Sequence, residues 1–157
     1  MDNNIKVAVR VRPFNNREKE RNAKCIISVD GKVTTIQNPE TGEKKPFTFD
    51  FSYWSHCTED PDYADQSKVF QDLGVTVLEN AWNGYNASLF AYGQTGQHKH
   101  NHEFLVSLEM SAVPGSGKSY SMVGYGADRG IIPCACEEMF SRVHANTNPE
   151  IEFKVEV

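Results

Sequence analysis

Residues 90–122 hold two glycine-rich pieces, FAYGQTG and GSGKSYSM, separated by a stretch of different character. Removing the 19 residues 97–115 would join them as FAYGQTGSGKSYSM, with G-x-x-x-x-G-K-S running from Gly93 to Ser119. A loop of that pattern constrains a fold strongly, because it is built between a strand and a helix. Its glycines let successive backbone N–H groups turn inward toward phosphate oxygens. Its lysine reaches the outer phosphates, and its Ser or Thr hydroxyl binds magnesium. In the sequence as it stands, Ala112 occupies the position five before Gly117, and the strict pattern is broken. The chain carries a nucleotide-binding signature and, at the same place, an interruption of it.

The flanking residues alternate between strand and helix patterns. Residues 5–11 (IKVAVRV) place β-branched side chains at alternate positions and stop before Pro13, which predicts a strand ended by a proline. Residues 25–51 contain short β-prone runs (CIISV, KVTTI, FTFDF) broken at Asp30-Gly31, Asn38-Pro39 and Thr41-Gly42, the pattern of a small meander. Val69, Phe70, Leu73, Val77, Leu78 and Ala81 recur at helical steps, with Asp65 as a cap and Gly84 as a stop. Gly74 should weaken that helix by about 1 kcal/mol relative to alanine. Residues 87–92 form an almost unbroken apolar run into the loop, the character of a buried parallel strand. Pro133 suits the first turn of a helix with Cys136, Met139, Phe140 and Val143 on one face. Residues 151–157 alternate as a last strand with no turn signal after Val157, so the C-terminus reads as a truncation.

Composition narrows the function classes. At 157 residues, 39% hydrophobic and 24% charged, the chain is ordinary globular material, enough for one domain or part of a larger one. The start MDNNIK lacks a signal peptide's apolar stretch, and no run approaches a membrane span. A formal net charge of −5 argues against nucleic acid as the main partner. Cys25, Cys57, Cys134 and Cys136 are scattered, and Cys134-x-Cys136 has the wrong spacing for a zinc knuckle. Reduced structural cysteines in the cytosol are the expectation.

Four blocks, VRVRPFNNRE (residues 9–18), FDFSYWSH (49–56), GYNASLFAYGQTG (84–96) and GADRGIIP (126–133), strongly resemble the kinesin motor domain in order and spacing. The SYWSH segment, with Glu59-Asp60-Pro61 nearby, is most similar to the kinesin-three transport subfamily. The resemblance covers essentially all of residues 1–157 except 97–115. It implies an α/β P-loop NTPase fold, a mainly parallel twisted sheet flanked by helices, truncated here. It also implies Mg2+ and ATP as ligands, microtubules as partner, and a cytoplasmic, cytoskeletal location without membrane insertion. Arg10, Arg12 and Pro13 match the R-x-R-P segment that borders adenine and ribose; read without the resemblance, they are a basic strand end capped by a proline. Gly93, Gln94, Thr95 and Gly96 match the first half of the phosphate loop, and Ser116, Gly117, Lys118 and Ser119 the second. Lys118 would hold the outer phosphates and Ser119 the magnesium. Tyr120 matches the position whose ring packs on adenine, against the alternative of a half-buried helix aromatic.

Departures from the family pattern carry equal weight. The N-x-x-S-S-R-S-H and D-x-A-G-S-E switch segments, which in the family sense the γ-phosphate and position water, are absent from the chain, leaving no catalytic residue within it. Strands supplied by that missing half would complete the sheet, so unpaired edges, uncovered apolar faces and aggregation are expected. The stretch QHKHNHEFLVSLEMSAVPG at 97–115 reads as a retained intron or gene-model error, since its removal restores the loop in frame. A loop elaboration and a metal site at His98, His100 and His102 are the alternatives, the latter because alternate strand residues share a face. Closing a flexible loop of this length costs roughly 2–3 kcal/mol, which a fold tolerates. Separating Gly96 from Ser116, whose N–H groups should be consecutive in one nest, harms binding more than folding.

The reading is therefore the N-terminal portion of an ATP-dependent microtubule motor, catalytically incomplete as this chain. Two alternatives stand beside it. One is a non-motor binding protein in which the His-rich stretch makes a metal or protein contact. The other is a vestigial module that holds Mg-ATP without turning it over.

Overall fold

A computed structural model describes residues 5–93 and 117–147. They divide into two compact units, the first running to Asp65 and the second comprising residues 66–93 and 117–147.

In the first unit, strand β1 (Ala8–Val11) ends before Pro13 as expected and pairs in parallel with β5 (Phe51–Trp54), Ala8 facing Phe51 and Val11 facing Trp54. Between them lies the predicted meander, an antiparallel sheet of β2 (Ile27–Asp30), β3 (Val33–Gln37) and β4 (Lys44–Thr48). The β2–β3 turn falls at Gly31-Lys32, since Asp30 pairs with Val33. At the next turn the Asn38 carboxamide oxygen accepts from the N–H groups of Glu40 and Thr41, an Asx device that fixes the reversal. Strand β4 is solvent-exposed along its whole length, and its Lys44, Lys45 and Pro46 discourage further pairing at that edge. Val11, Tyr53 and Ala64 form the buried apolar centre of this unit. The sheets are thus mixed, one parallel pair and an antiparallel meander, where the sequence leads one to expect mainly parallel pairing.

Helix α1 (Asn16–Glu20) follows β1 and is held by a capping box: Asn15 Oδ1 accepts from Glu18 N at 2.9 Å, and the Glu18 carboxylate accepts from Asn15 N at 2.8 Å. The same carboxylate receives both terminal nitrogens of Arg12, at 2.7 and 2.8 Å. A bidentate, charge-assisted pair of this kind is worth more than an ordinary surface ion pair.

The second unit opens with the predicted helix. It runs as α2 (Gln66–Val69), a wider π turn at Phe70–Gly74, and α3 (Val75–Trp82). The expected cost of Gly74 has a packing counterpart: a Cβ there would lie 2.3 Å from the Phe70 ring and 3.3 Å from Ile131 Cγ2. Glycine at this point makes room chiefly for the Phe70 ring of the preceding turn, and then for Ile131. After Trp82 the chain ends the helix as predicted, with Gly84 at φ +80, its N–H bound to the Ala81 carbonyl and the Tyr85 N–H to the Asn80 carbonyl. That pair of bonds is the Schellman arrangement.

Residues 87–92 are not the buried strand their composition suggests. No regular element is present between residues 85 and 93, and Phe90 and Tyr92 are 62% and 98% exposed. An apolar run states a preference for burial, but a strand exists only when a neighbour accepts its ladder of hydrogen bonds, and among the described residues none does. Beyond residue 116 come α4 (Lys118–Met122), a two-stranded hairpin of β6 (Gly124–Tyr125) and β7 (Asp128–Arg129), and α5 (Ile131–Ala145). Pro133 lies in the first turn of α5, where its missing N–H costs nothing. Along the predicted α5 face, Cys136, Met139 and Val143 are half-buried and Phe140 is 41% exposed. The expected strand at 151–157 lies outside the described residues.

The Arg12–Glu18 pair yields a pH dependence. Hydrogen bonds from Arg12, then from Asn15, hold the Glu18 carboxyl at about 2, below its ordinary value of 4.5. Its stabilising contribution is therefore complete above about pH 4.5 and is lost as pH falls toward 2. Urea denaturation of Glu18→Gln, which keeps an acceptor for the Asn15 N–H and loses the charge facing Arg12, should show lower stability than the unsubstituted chain at pH 7, by about 1 kcal/mol, the upper scale of a partly exposed ion pair. The two should converge as pH falls through that window. A constant difference from pH 7 to pH 2.5 would show that the carboxylate charge is not the stabilising element.

Candidate phosphate loop and its aromatic neighbour

Gly93 and Lys118 are 25 positions apart, yet the Lys118 ammonium donates to the Gly93 carbonyl at 2.7 Å. The two halves of the interrupted loop thus meet at their outer ends. Gly117 precedes α4 with φ +80 and ψ 3, a left-handed conformation that a residue with a Cβ adopts at a cost. It turns the backbone directly into Lys118, the first residue of the helix, and puts the ammonium and the Ser119 hydroxyl on successive positions of its first turn. Ser119 is exposed, and its carbonyl is bound by the Val123 N–H. The donor set suits a magnesium–triphosphate: a cation already directed at an oxygen acceptor, and next to it a hard oxygen ligand. Gln94, Thr95, Gly96 and Ser116 lie outside the described residues, as do residues 97–115 with His98, His100 and His102. Among the described residues, no group of three His, Cys, Asp or Glu side chains is placed to hold a metal.

Tyr120, one turn into α4, is engaged on several sides. Its hydroxyl donates to Asp128 Oδ2 at 3.2 Å, and its ring stacks on Tyr125 with centroids 6.2 Å apart and planes at 27°. Its carbonyl accepts from the Gln66 side-chain amide at 2.5 Å, and Gln66 is only 8% exposed. Neither Gln66 nor Tyr125 stands out in the sequence. Their roles depend on contacts 54 and 5 residues away that no local periodicity encodes.

Arg10, Arg12 and Pro13 lie in the first unit, and the two arginine side chains are committed to protein partners. Arg10 Nε donates to Ser55 Oγ at 2.8 Å, and its guanidinium reaches the Ala64 carbonyl at 3.4 Å. Ser55 is buried and itself donates to the Ala64 carbonyl. This knot ties β1 to the end of β5. Arg12 divides its donors between Glu18 and the Pro13 carbonyl, the latter at 2.8 Å. The Arg12 carbonyl in turn accepts from His56 Nδ1 at 2.9 Å, and the His56 ring meets Phe14 edge-on at 4.6 Å. Glu18 is a residue that site-directed reading of the sequence misses, although Asn15-x-x-Glu18 is a legible capping signal. All four cysteines are free thiols. No helix among the described residues is long and apolar enough to cross a membrane.

Residues 10–100 match the kinesin motor domain family. The chain is 45% identical over 98% of its length to kinesin-related protein 1 of Dictyostelium discoideum, and spans 7% of that protein. It is 46% identical over 98% of its length to kinesin-like protein KIF1A of Rattus norvegicus, and spans 8% of it. Among solved structures, a KIF14 chain with ADP in complex with a microtubule superposes with a TM-score of 0.76 and 36% identity, covering 93% of this chain and 35% of that one. The fold is an α/β P-loop NTPase fold with mixed parallel and antiparallel sheets and flanking helices, and the chain belongs to the kinesin motor-domain family.

Proposed function

We propose that the chain is the nucleotide-binding front portion of an ATP-driven microtubule motor of the kinesin-three type, working in the cytoplasm on the microtubule cytoskeleton. Residues 1–157 form a partial motor domain, and residues 97–115 are an insert within its phosphate loop. The observation that carries this reading is the Lys118–Gly93 hydrogen bond, which draws the separated halves of the loop together across the insert. Lys118 holds the outer phosphates of ATP, and Ser119 is the magnesium ligand. Gly93, Gln94, Thr95, Gly96, Ser116 and Gly117 supply the backbone cradle, and Tyr120 packs on the adenine. Arg10, Arg12 and Pro13 border the base and ribose through backbone and flat surface, because the arginine donors are already engaged within the protein. Support for the subfamily comes from the SYWSH block at 52–56.

The chain's own residues bind and orient; none of them is a candidate for positioning an attacking water, and neither switch segment occurs in the sequence. Steady-state assays should find no ATP hydrolysis by the 157-residue chain above background, with or without microtubules. Stimulated hydrolysis that disappears in Lys118→Ala would overturn this.

Deleting residues 97–115 should tighten binding of a fluorescent ATP analogue in the presence of magnesium, because consecutive N–H groups then form one nest. The gain is expected to be at least about tenfold, the worth of one restored charge-assisted hydrogen bond. Equal affinity with and without the segment, in buffers with and without zinc, would show that the insert leaves the cradle intact. Tighter binding by the undeleted chain when zinc is present would favour a functional His98–His102 segment.

A further inference from the structure

The hairpin that follows α4 is too short to be stable alone, with two residues in each strand. It is nevertheless pressed into place. Gly124 has φ +80, and a Cβ there would lie 1.9 Å from the Asp128 carbonyl oxygen and 2.5 Å from the Gly130 nitrogen. A Cβ on Gly130 would lie 2.4 Å from the backbone of Met122, the last residue of α4. The Gly130 N–H closes the approach by donating to the Val123 carbonyl at 2.9 Å. Gln66 fastens the same two elements, its amide nitrogen reaching the Tyr120 carbonyl at 2.5 Å and the Asp128 carbonyl at 3.5 Å.

What this seating accomplishes is local to one ring. Tyr125 is 63% exposed, so burial does not explain its position, yet it stacks on Tyr120 while Asp128 accepts from the Tyr120 hydroxyl. At 6.2 Å the rings are in direct aromatic contact. The stack and the hydroxyl bond together remove the torsional freedom of the Tyr120 side chain before a ligand arrives. A contact ordered in advance binds more tightly than one ordered on binding.

We propose that Tyr125 and Asp128 are positioning residues that fix the Tyr120 ring, and through it the contribution of a purine base to nucleotide affinity. This rests on the nucleotide reading above and adds to it a division of labour: the hairpin governs the base and leaves the phosphates to Lys118. The test compares two probes on the whole chain, a fluorescent ATP analogue and inorganic tripolyphosphate as its competitor, both with magnesium. Tyr125→Ala and Asp128→Ala should each weaken the ATP analogue roughly three- to tenfold, the scale of one aromatic pair, and leave tripolyphosphate unchanged. Tyr125→Phe keeps the ring and Asp128→Asn keeps an acceptor oxygen, so both should restore affinity. Where an alanine variant loses its helical circular dichroism, Tyr125→Leu, which keeps apolar bulk without the ring, serves in its place. Equal weakening of both probes, or of neither, overturns the inference. Failure of the unsubstituted chain to bind either probe overturns the nucleotide reading itself, and this inference with it.

Discussion

A single charge-assisted hydrogen bond, Lys118 to the Gly93 carbonyl, stands at the junction on which the second unit's functional end depends. The ammonium requires an oxygen partner when it is withdrawn from water, and the glycine at 93 lets a backbone carbonyl supply one at close range. Because Lys118 is the first residue of α4, anchoring it also sets where that helix begins. The hairpin and α5 follow within thirteen residues.

Charge elsewhere is handled differently. Arg10 and Arg12 belong to the block that most clearly marks the family, yet each guanidinium is spent inside the protein. Arg10 pins β5 through Ser55, and Arg12 closes the cap of α1 through Glu18. A chain with net charge −5 has no general electrostatic attraction for an anionic nucleotide, so affinity has to come from a few well-aimed donors. This internal use gives Arg12 a carboxylate partner and Arg10 two neutral acceptors, the Ser55 hydroxyl and the Ala64 carbonyl. It also makes the R-x-R-P segment a shape-determining element as much as an electrostatic one.

Legibility in the sequence followed the range of the interactions. Strand β1, the meander, the helix from Gln66 to Trp82, its stop at Gly84 and the turn holding Pro133 were all readable, because each rests on periodicity or turn chemistry within a few residues. The family was readable because several blocks occur in order. Residues 87–92 misled because apolar composition reports a wish for burial and says nothing of the strand that must lie alongside. At Gly74 the propensity cost is local and visible, whereas its packing role, making room first for the Phe70 ring and then for Ile131, 57 residues away, is not. The partners of Arg10 and Gln66 were hidden for the same reason. At the loop, sequence supplied the residues and their order, and only coordinates could show that Gly93 and Lys118 meet.

The wide turn at Phe70–Gly74 has a consequence for how this helix reads its own sequence. A π turn accommodates more residues than an α turn, so every side chain after it is rotated relative to the register that precedes it, by roughly the 100° that one residue occupies. Val69 and Leu78, both buried, therefore belong to two stripes with different phases, joined by a phase slip. A continuous helical wheel drawn through residues 66–82 misassigns one half or the other. Loss of one residue within the slip would be absorbed by the wide turn closing to an ordinary α turn, leaving Leu78 in the core, whereas the same loss outside it would rotate Leu78 by about 100°.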